Sequence, residues 1–179
     1  TPEQKELVQQ LKDDNQRMLK ILSELLNMSQ VESGKIQLKL QEVNINDLVH
    51  VSVAGMQNTM KEKDIRLQLE LQQLQTIQAD ADKITWVLNN FLNNAIKFSP
   101  QNGGIIIRSF TSGNDVSVSI RDEGPGIDPA YYELIFERYY QIPGRLDKKG
   151  SGIGLAICKE MIQAMGGQVW VKSDVGGGS

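Results

Sequence analysis

Three glycine-bearing or asparagine-bearing segments in a fixed order constrain this chain more than any other feature. They are Asn89-Asn90-Phe91-Leu92-Asn93-Asn94-Ala95-Ile96-Lys97-Phe98, then Asp122-Glu123-Gly124-Pro125-Gly126-Ile127, then Gly150-Ser151-Gly152-Ile153-Gly154-Leu155. A lone glycine cluster is more often a turn than a phosphate site. An Asn-rich helix, an Asp-x-Gly-x-Gly turn and a glycine-opened helix in succession describe a nucleotide pocket.

A nucleoside triphosphate presents a base edge, a polyanion and a magnesium ion, and each asks for a different partner. Asp122 ends an alternating run just before Gly124, and its carboxylate can accept from an adenine amino group. Gly124 and Gly126, followed by Ile127, let the backbone approach the base without a side chain in the way. Asn90 and Asn94 are four apart and share one helix face. Their amide oxygens can ligate or water-bridge Mg2+ while the ion stays mainly on phosphate. Lys97, one turn on, can reach a phosphate oxygen, whereas Asn89 and Asn93 point elsewhere and read as solvated or capping. Gly150, Gly152 and Gly154 precede and open the helix from Ile153 to Met165, with Leu155 in its first turn, and the free amides there suit an anion. No Gly-Lys-Ser/Thr follows, so this is not a P-loop.

The order of the segments resembles that of the ATP-binding domain of sensor histidine kinases and the wider GHKL superfamily. The kinase branch is favoured by Ile135-Phe136-Glu137-Arg138-Tyr139-Tyr140-Gln141, which resembles the phenylalanine box, and by the tail Gly166-Gly167-Gln168-Val169-Trp170-Val171-Lys172-Ser173. The resemblance implies ATP and Mg2+ as ligands, an adenine-specifying role for Asp122, and Asn94 as the principal metal ligand with Asn90 in support. Phe98 lies where the family often has tyrosine and packs either near the base or in the core. Arg138, placed in the phenylalanine box, ranks above Arg145, Lys148 and Lys149 as the cation that offsets phosphate charge. With Lys97 it forms the expected catalytic pair. The stretch 141–150 then reads as a lid over the site. Mild departures are Ser151 where threonine is common and Met165 where histidine is common.

The first 34 residues read as one long helix. Thr1-Pro2-Glu3-Gln4 supplies a cap, a proline at the first helical position and a glutamine three residues after the cap. Leu7, Leu11, Met18, Leu22 and Leu25 then form a stripe running to about Ser33-Gly34. Roughly 32 residues of helix span about 48 Å, so the stripe needs a second surface. Steps from Leu11 to Asn15, Met18, Leu22, Leu25 and Ser29 alternate four and three, the rhythm of bundle packing. The segment resembles the second helix of the kinase dimerisation and phosphotransfer hairpin, which implies a homodimer.

Beyond it, Ile36, Leu38 and Leu40 alternate like a strand, 45–63 reads as a helix, and Ile65, Leu67, Leu69 and Leu71 alternate again. Residues 82–98 read as a helix ending at Ser99-Pro100, 104–111 and 116–122 as a hairpin, 128–135 and 152–165 as helices, and 168–173 as a strand. The expectation is an α+β chain: a two-layer α/β sandwich of the GHKL (Bergerat) type over 35–179, preceded by a bundle-forming helix over 1–34.

Nineteen basic against 22 acidic residues give a net charge of −3 with no block of like charge, which points to no nucleic-acid partner. No apolar run approaches the length of a membrane span, so no membrane contact is expected of this stretch. Cys158, alone in the chain, sits in a helix pattern as a small apolar residue. Both ends read as cut from a larger protein.

The single histidine, His50, lies in Asp47-Leu48-Val49-His50-Val51 without the neighbours of a phosphoacceptor, and reads as structural or surface. The resemblance therefore implies that this stretch binds Mg-ATP without phosphorylating itself. The parent would phosphorylate a histidine elsewhere and then an aspartate of a response-regulator receiver domain. It also implies a cytoplasmic location, with the parent an inner-membrane sensor. Two alternatives remain at this stage. A GHKL ATPase would typically carry a catalytic glutamate in the asparagine helix, where 86–98 has none. A pseudokinase serving as a dimerisation module would need a defect that the three segments do not display.

Overall fold

The computed structural model describes residues 4, 7, 8, 10, 11, 14, 15, 18, 19, 21–23, 25, 26, 29, 36–143 and 150–179. They fall in two compact units, Thr1–Gln37 and Leu38–Ser179. In the first, every described residue from 4 to 29 is helical. Leu7, Leu11, Met18, Leu22 and Leu25 are 49–61 % exposed. The cap at Thr1-Pro2 and the helix end at Ser33-Gly34 lie outside the described residues.

The second unit runs β1 (Gln41–Val43), α1 (Ile45–Glu62), β2 (Arg66–Leu71), β3 (Ile77–Ala79), α2 (Ala81–Phe98), β4 (Gly104–Ser112) and β5 (Asp115–Asp122). Two 3-10 turns follow, Pro129–Tyr131 and Leu134–Phe136, and then α3 (Gly154–Ala164). Strands β2, β4 and β5 form one sheet in that order, while β1 and β3 pair apart from it. The β2–β4 pairing is parallel, with Leu67 opposite Ile105 and Leu69 opposite Ile107. The β4–β5 pairing is antiparallel, with Ile107 opposite Ile120 and Ile105 opposite Asp122.

Because side chains alternate across a strand, this register puts Leu67, Leu69, Ile105, Ile107 and Ile120 on one face. That face packs on Val49, Val53 and Met60 of α1 and on Leu88, Leu92, Ala95 and Ile96 of α2. Leu92 is fully buried there, and truncating it to alanine would cost about 2–5 kcal/mol. The same alternation carries Asp122 onto the core face, at the strand end, where a carboxylate has no packing role. On the opposite face Arg108 pairs with Glu70, holding the Glu70 carboxyl below the usual range.

Polar side chains set the helix ends. Asn44 Oδ1 accepts from the N–H of Asn46 to start α1. Asp80 starts α2, accepting from the N–H of Lys83 at 3.1 Å and from the N–H of Lys39 at 2.8 Å. Burial pushes the Asp80 carboxyl up, but these amides and the Lys83 charge together hold it below its ordinary value. At the far end of α2, Ser99 and Pro100 stop the helix. There the Lys63 ammonium donates to the carbonyls of Ile96, Lys97 and Ser99 at 2.9, 2.8 and 2.7 Å.

Three sequence readings are corrected. Residues 128–135 form only the two 3-10 turns: Asp128 caps Ala130 across Pro129, and so short a segment must also deliver Phe136 to a buried position. Residues 168–173 form no strand. The Asp122 N–H on the free edge of β5 is taken by the carbonyl of Ser179, and at the end of 168–173 Ser173 bonds the Tyr132 hydroxyl instead. Residues 36–40 are likewise not a strand, since pairing with the three-residue β3 begins only at Gln41.

Candidate functional site

Helix α2 runs past both glycine turns. The eight helical steps from Asn90 to Phe98 cover about 12 Å, with the Asp122 turn against one end and the opening of α3 against the other. At the first end a Cβ on Gly124 would stand 2.6 Å from Asp122 Oδ1 and 3.0 Å from the Phe98 carbonyl oxygen. At the second a Cβ on Gly154 would stand 2.7 Å from Asn90 Oδ1. Both glycines are there because no side chain fits.

Asp122 is 7 % exposed. Its Oδ1 accepts from the Gly124 N–H at 2.7 Å and its Oδ2 from the Ser179 hydroxyl at 2.7 Å. A carboxylate offers about four acceptor positions, so two remain for an incoming donor. Gly126 follows in the left-handed region, φ 70°, and a Cβ there would overlap the Asp174 carbonyl. The Ile127 N–H donates to Ser173 Oγ at 2.8 Å, which ties the turn to the C-terminal tail. Phe98 is half-buried, and the Lys97 ammonium lies 4.7 Å from the centre of its ring.

Asn90 donates from Nδ2 to the Trp86 carbonyl at 3.0 Å, and this orients its Oδ1 toward Gly154. Asn94 is half-buried one turn on, and its side chain makes no hydrogen bond among the described residues. Helix α3 begins at Gly154 without a side-chain cap, so its first amides, with Leu155 in the opening turn, keep the capacity of an anion site. Gly152, φ 71°, approaches the Tyr139 backbone, whose N–H donates to the Gly152 carbonyl at 2.9 Å. Gly150 is exposed, with open space around its Cβ position, and its carbonyl accepts from Gln141 Nε2 at 2.7 Å.

Arg138 stands 3.7 Å from the Glu160 carboxylate of α3, and Phe136 is buried. Arg145, Lys148 and Lys149, the lid cations, lie outside the described residues. Among the described residues no cluster of three or more His, Cys, Asp or Glu could hold a metal. A magnesium ion here would be held by amide and phosphate oxygens, which the donor set of Asn90 and Asn94 fits. His50 is exposed on α1. Cys158 is fully buried, and burial pushes its thiol far above the usual range.

Two serines escaped the sequence reading. Ser179 fixes the second oxygen of Asp122, and Ser173 holds Ile127 while its own N–H donates to the Tyr132 hydroxyl oxygen at 3.0 Å. The signal available was the tail itself, where the two serines bracket Asp174-Val175-Gly176-Gly177-Gly178.

Comparison with known proteins follows the same geometry. Residues 79–179 match the family described as histidine kinase-, DNA gyrase B- and HSP90-like ATPase. The sensor histidine kinase WalK of Bacillus subtilis is 31 % identical over 172 residues, 93 % of this chain and 28 % of its own length. The alginate biosynthesis sensor protein KinB of Pseudomonas aeruginosa is 33 % identical over 97 % of this chain and 29 % of its own. The crystal structure of full-length ShkA in complex with AMPPNP superposes with a TM-score of 0.84 at 31 % identity, covering 99 % of this chain and 37 % of that one. The chain thus spans little more than a quarter to a third of these proteins.

Proposed function

Because the chain belongs to the histidine kinase-, DNA gyrase B- and HSP90-like ATPase family, we propose that it is the ATP-binding core of a sensor histidine kinase. The parent protein would transfer the γ-phosphoryl group of ATP to a histidine outside this stretch and then to a response-regulator aspartate. The observation that carries the reading is that one helix, α2, borders both the buried Asp122 turn and the uncapped start of α3. Likeness to ShkA, whose structure holds AMPPNP, supports it.

In this reading Asp122 accepts from the adenine amino group, with Gly124, Gly126 and Ile127 giving the base its approach and Phe98 beside it. Gly150, Gly152, Gly154 and Leu155 form the phosphate end. Asn90 and Asn94 present amide oxygens, and Lys97 and Arg138 offset phosphate charge. Magnesium would supply charge neutralisation across the phosphates. His50, exposed on α1 and lacking the sequence neighbours of a phosphoacceptor, is not the acceptor in this account.

The exposed stripe of residues 7–25 supports a homodimer formed through the N-terminal helix, since apolar surface of this kind marks an interaction face. No described helix is long and apolar enough to cross a membrane. The test is calorimetric titration with ADP and AMPPNP, with and without magnesium, on the wild type, Asp122→Ala and Asn94→Ala. The reading requires binding that Asp122→Ala abolishes and that loses its magnesium dependence in Asn94→Ala. Failure of the folded wild type to bind either nucleotide would overturn it.

A further inference from the structure

We propose that Lys63 is a positioning residue for the base end of the pocket, a role that rests on the nucleotide reading above. Lys63 is the C-cap of α1, far in sequence from every glycine segment. Its ammonium donates to the carbonyls of Ile96, Lys97 and Ser99, so it grips the chain on both sides of Phe98. All three of its donors are used, and its charge sits at the negative end of α2. The Lys63 carbonyl also receives the N–H of Asn102 at 3.0 Å. One residue thus fixes both the last turn of α2 and the loop that leaves it.

What this fixes is the distance between Phe98 and the Asp122 turn. The Phe98 carbonyl oxygen lies 3.0 Å from the place of a Cβ on Gly124, and the Gly124 N–H is the donor that holds Asp122 Oδ1. A shift of Phe98 by a few tenths of an ångström therefore moves Gly124, and with it the carboxylate oxygen that would read the base. The phosphate end, set by Asn90 and α3, lies about 12 Å away along the helix. Loss of the Lys63 grip should therefore degrade recognition of the base rather than of the phosphates.

The test compares ADP with IDP, which lacks the exocyclic amino group, by calorimetric titration of the full chain. A ratio of affinities does not change when part of a sample is unfolded, so a general loss of stability leaves it unmoved. The wild type should prefer ADP by about tenfold or more, the range of a hydrogen bond to a charged group. Lys63→Met should reduce that preference to within about threefold, and Lys63→Arg, which keeps charge and donors, should retain it. Should Lys63→Met not fold, Lys63→Gln, with two donors and no charge, takes its place and should show the same loss. A preference in Lys63→Met or Lys63→Gln equal to that of the wild type overturns the role of Lys63 and leaves the pocket standing. A wild type that binds both nucleotides equally overturns the placement of adenine at Asp122, and the proposal with it.

Discussion

Asn90 Oδ1 stands where a side chain on Gly154 would have to go, 2.7 Å from the position of its Cβ. The amide of Asn90 is meanwhile held from behind by the Trp86 carbonyl, so it cannot turn aside without losing that bond. A helix interior and a helix start are thus fitted to each other through one missing methyl group.

Gly154→Ala should therefore displace the Asn90 amide and weaken magnesium-dependent nucleotide binding by about tenfold or more, the scale of one lost polar contact. Gly150→Ala, whose new methyl group meets open space, should leave the melting temperature unchanged. Calorimetry with AMPPNP and a thermal melt on both variants checks the contrast.

Asp122→Asn keeps an oxygen for the Gly124 N–H but presents an amide donor to the adenine amino group. Binding of ADP should weaken by about 1.5–3 kcal/mol, read as the shift in Kd. Circular dichroism should report an intact fold.

Asp80 predicts a pH dependence of stability. Its carboxyl is held below the ordinary value in the folded state, so its stabilising contribution is present above the unfolded pKa of about 3.9. That contribution is lost as the pH falls through the lower folded value. Asp80→Ala, which removes the cap of α2, should cost about 1 kcal/mol at neutral pH. Its urea midpoint should then change less than that of the wild type between about pH 5 and about pH 2.

Arg138→Ala removes an ion pair with Glu160 whose side chains are both more than a third exposed, and pairs of that kind contribute about 0–1 kcal/mol. Thermal stability should barely change. In the full-length parent, label transfer from γ-labelled ATP to histidine should slow by about 100-fold or more if the guanidinium stabilises the transferring group.

Helices and strands buried on one face were legible because their periods are local. The runs that became α2, β4 and β5 each differ from the sequence reading by one residue at one end. The asparagines, Asp122 and the glycines were legible as types because each answers a distinct part of a nucleotide. Segments whose state depends on distant partners were not. Residues 168–173 alternate as a strand should, yet find no backbone partner, because Ser179 meets β5 instead. Lys63 looks like an ordinary helix-end lysine in sequence, and its three carbonyl acceptors lie more than thirty residues away. Ser179 was invisible for the same reason, being 57 residues from the carboxylate it holds.

The backbone bond from Tyr139 N–H to the Gly152 carbonyl has a consequence for how such a pocket can diverge. The two flanks of the intervening segment are stitched together at its base, so the walls do not depend on what the segment contains. Lengthening a loop between fixed ends is entropically mild, about 0.6 kcal/mol for each doubling. Insertions and deletions between Gln141 and Gly150, which are themselves bonded, can therefore be accommodated while Asn90, Asp122 and Gly154 keep their places. A loop of variable length can thus hang from a pocket of fixed geometry.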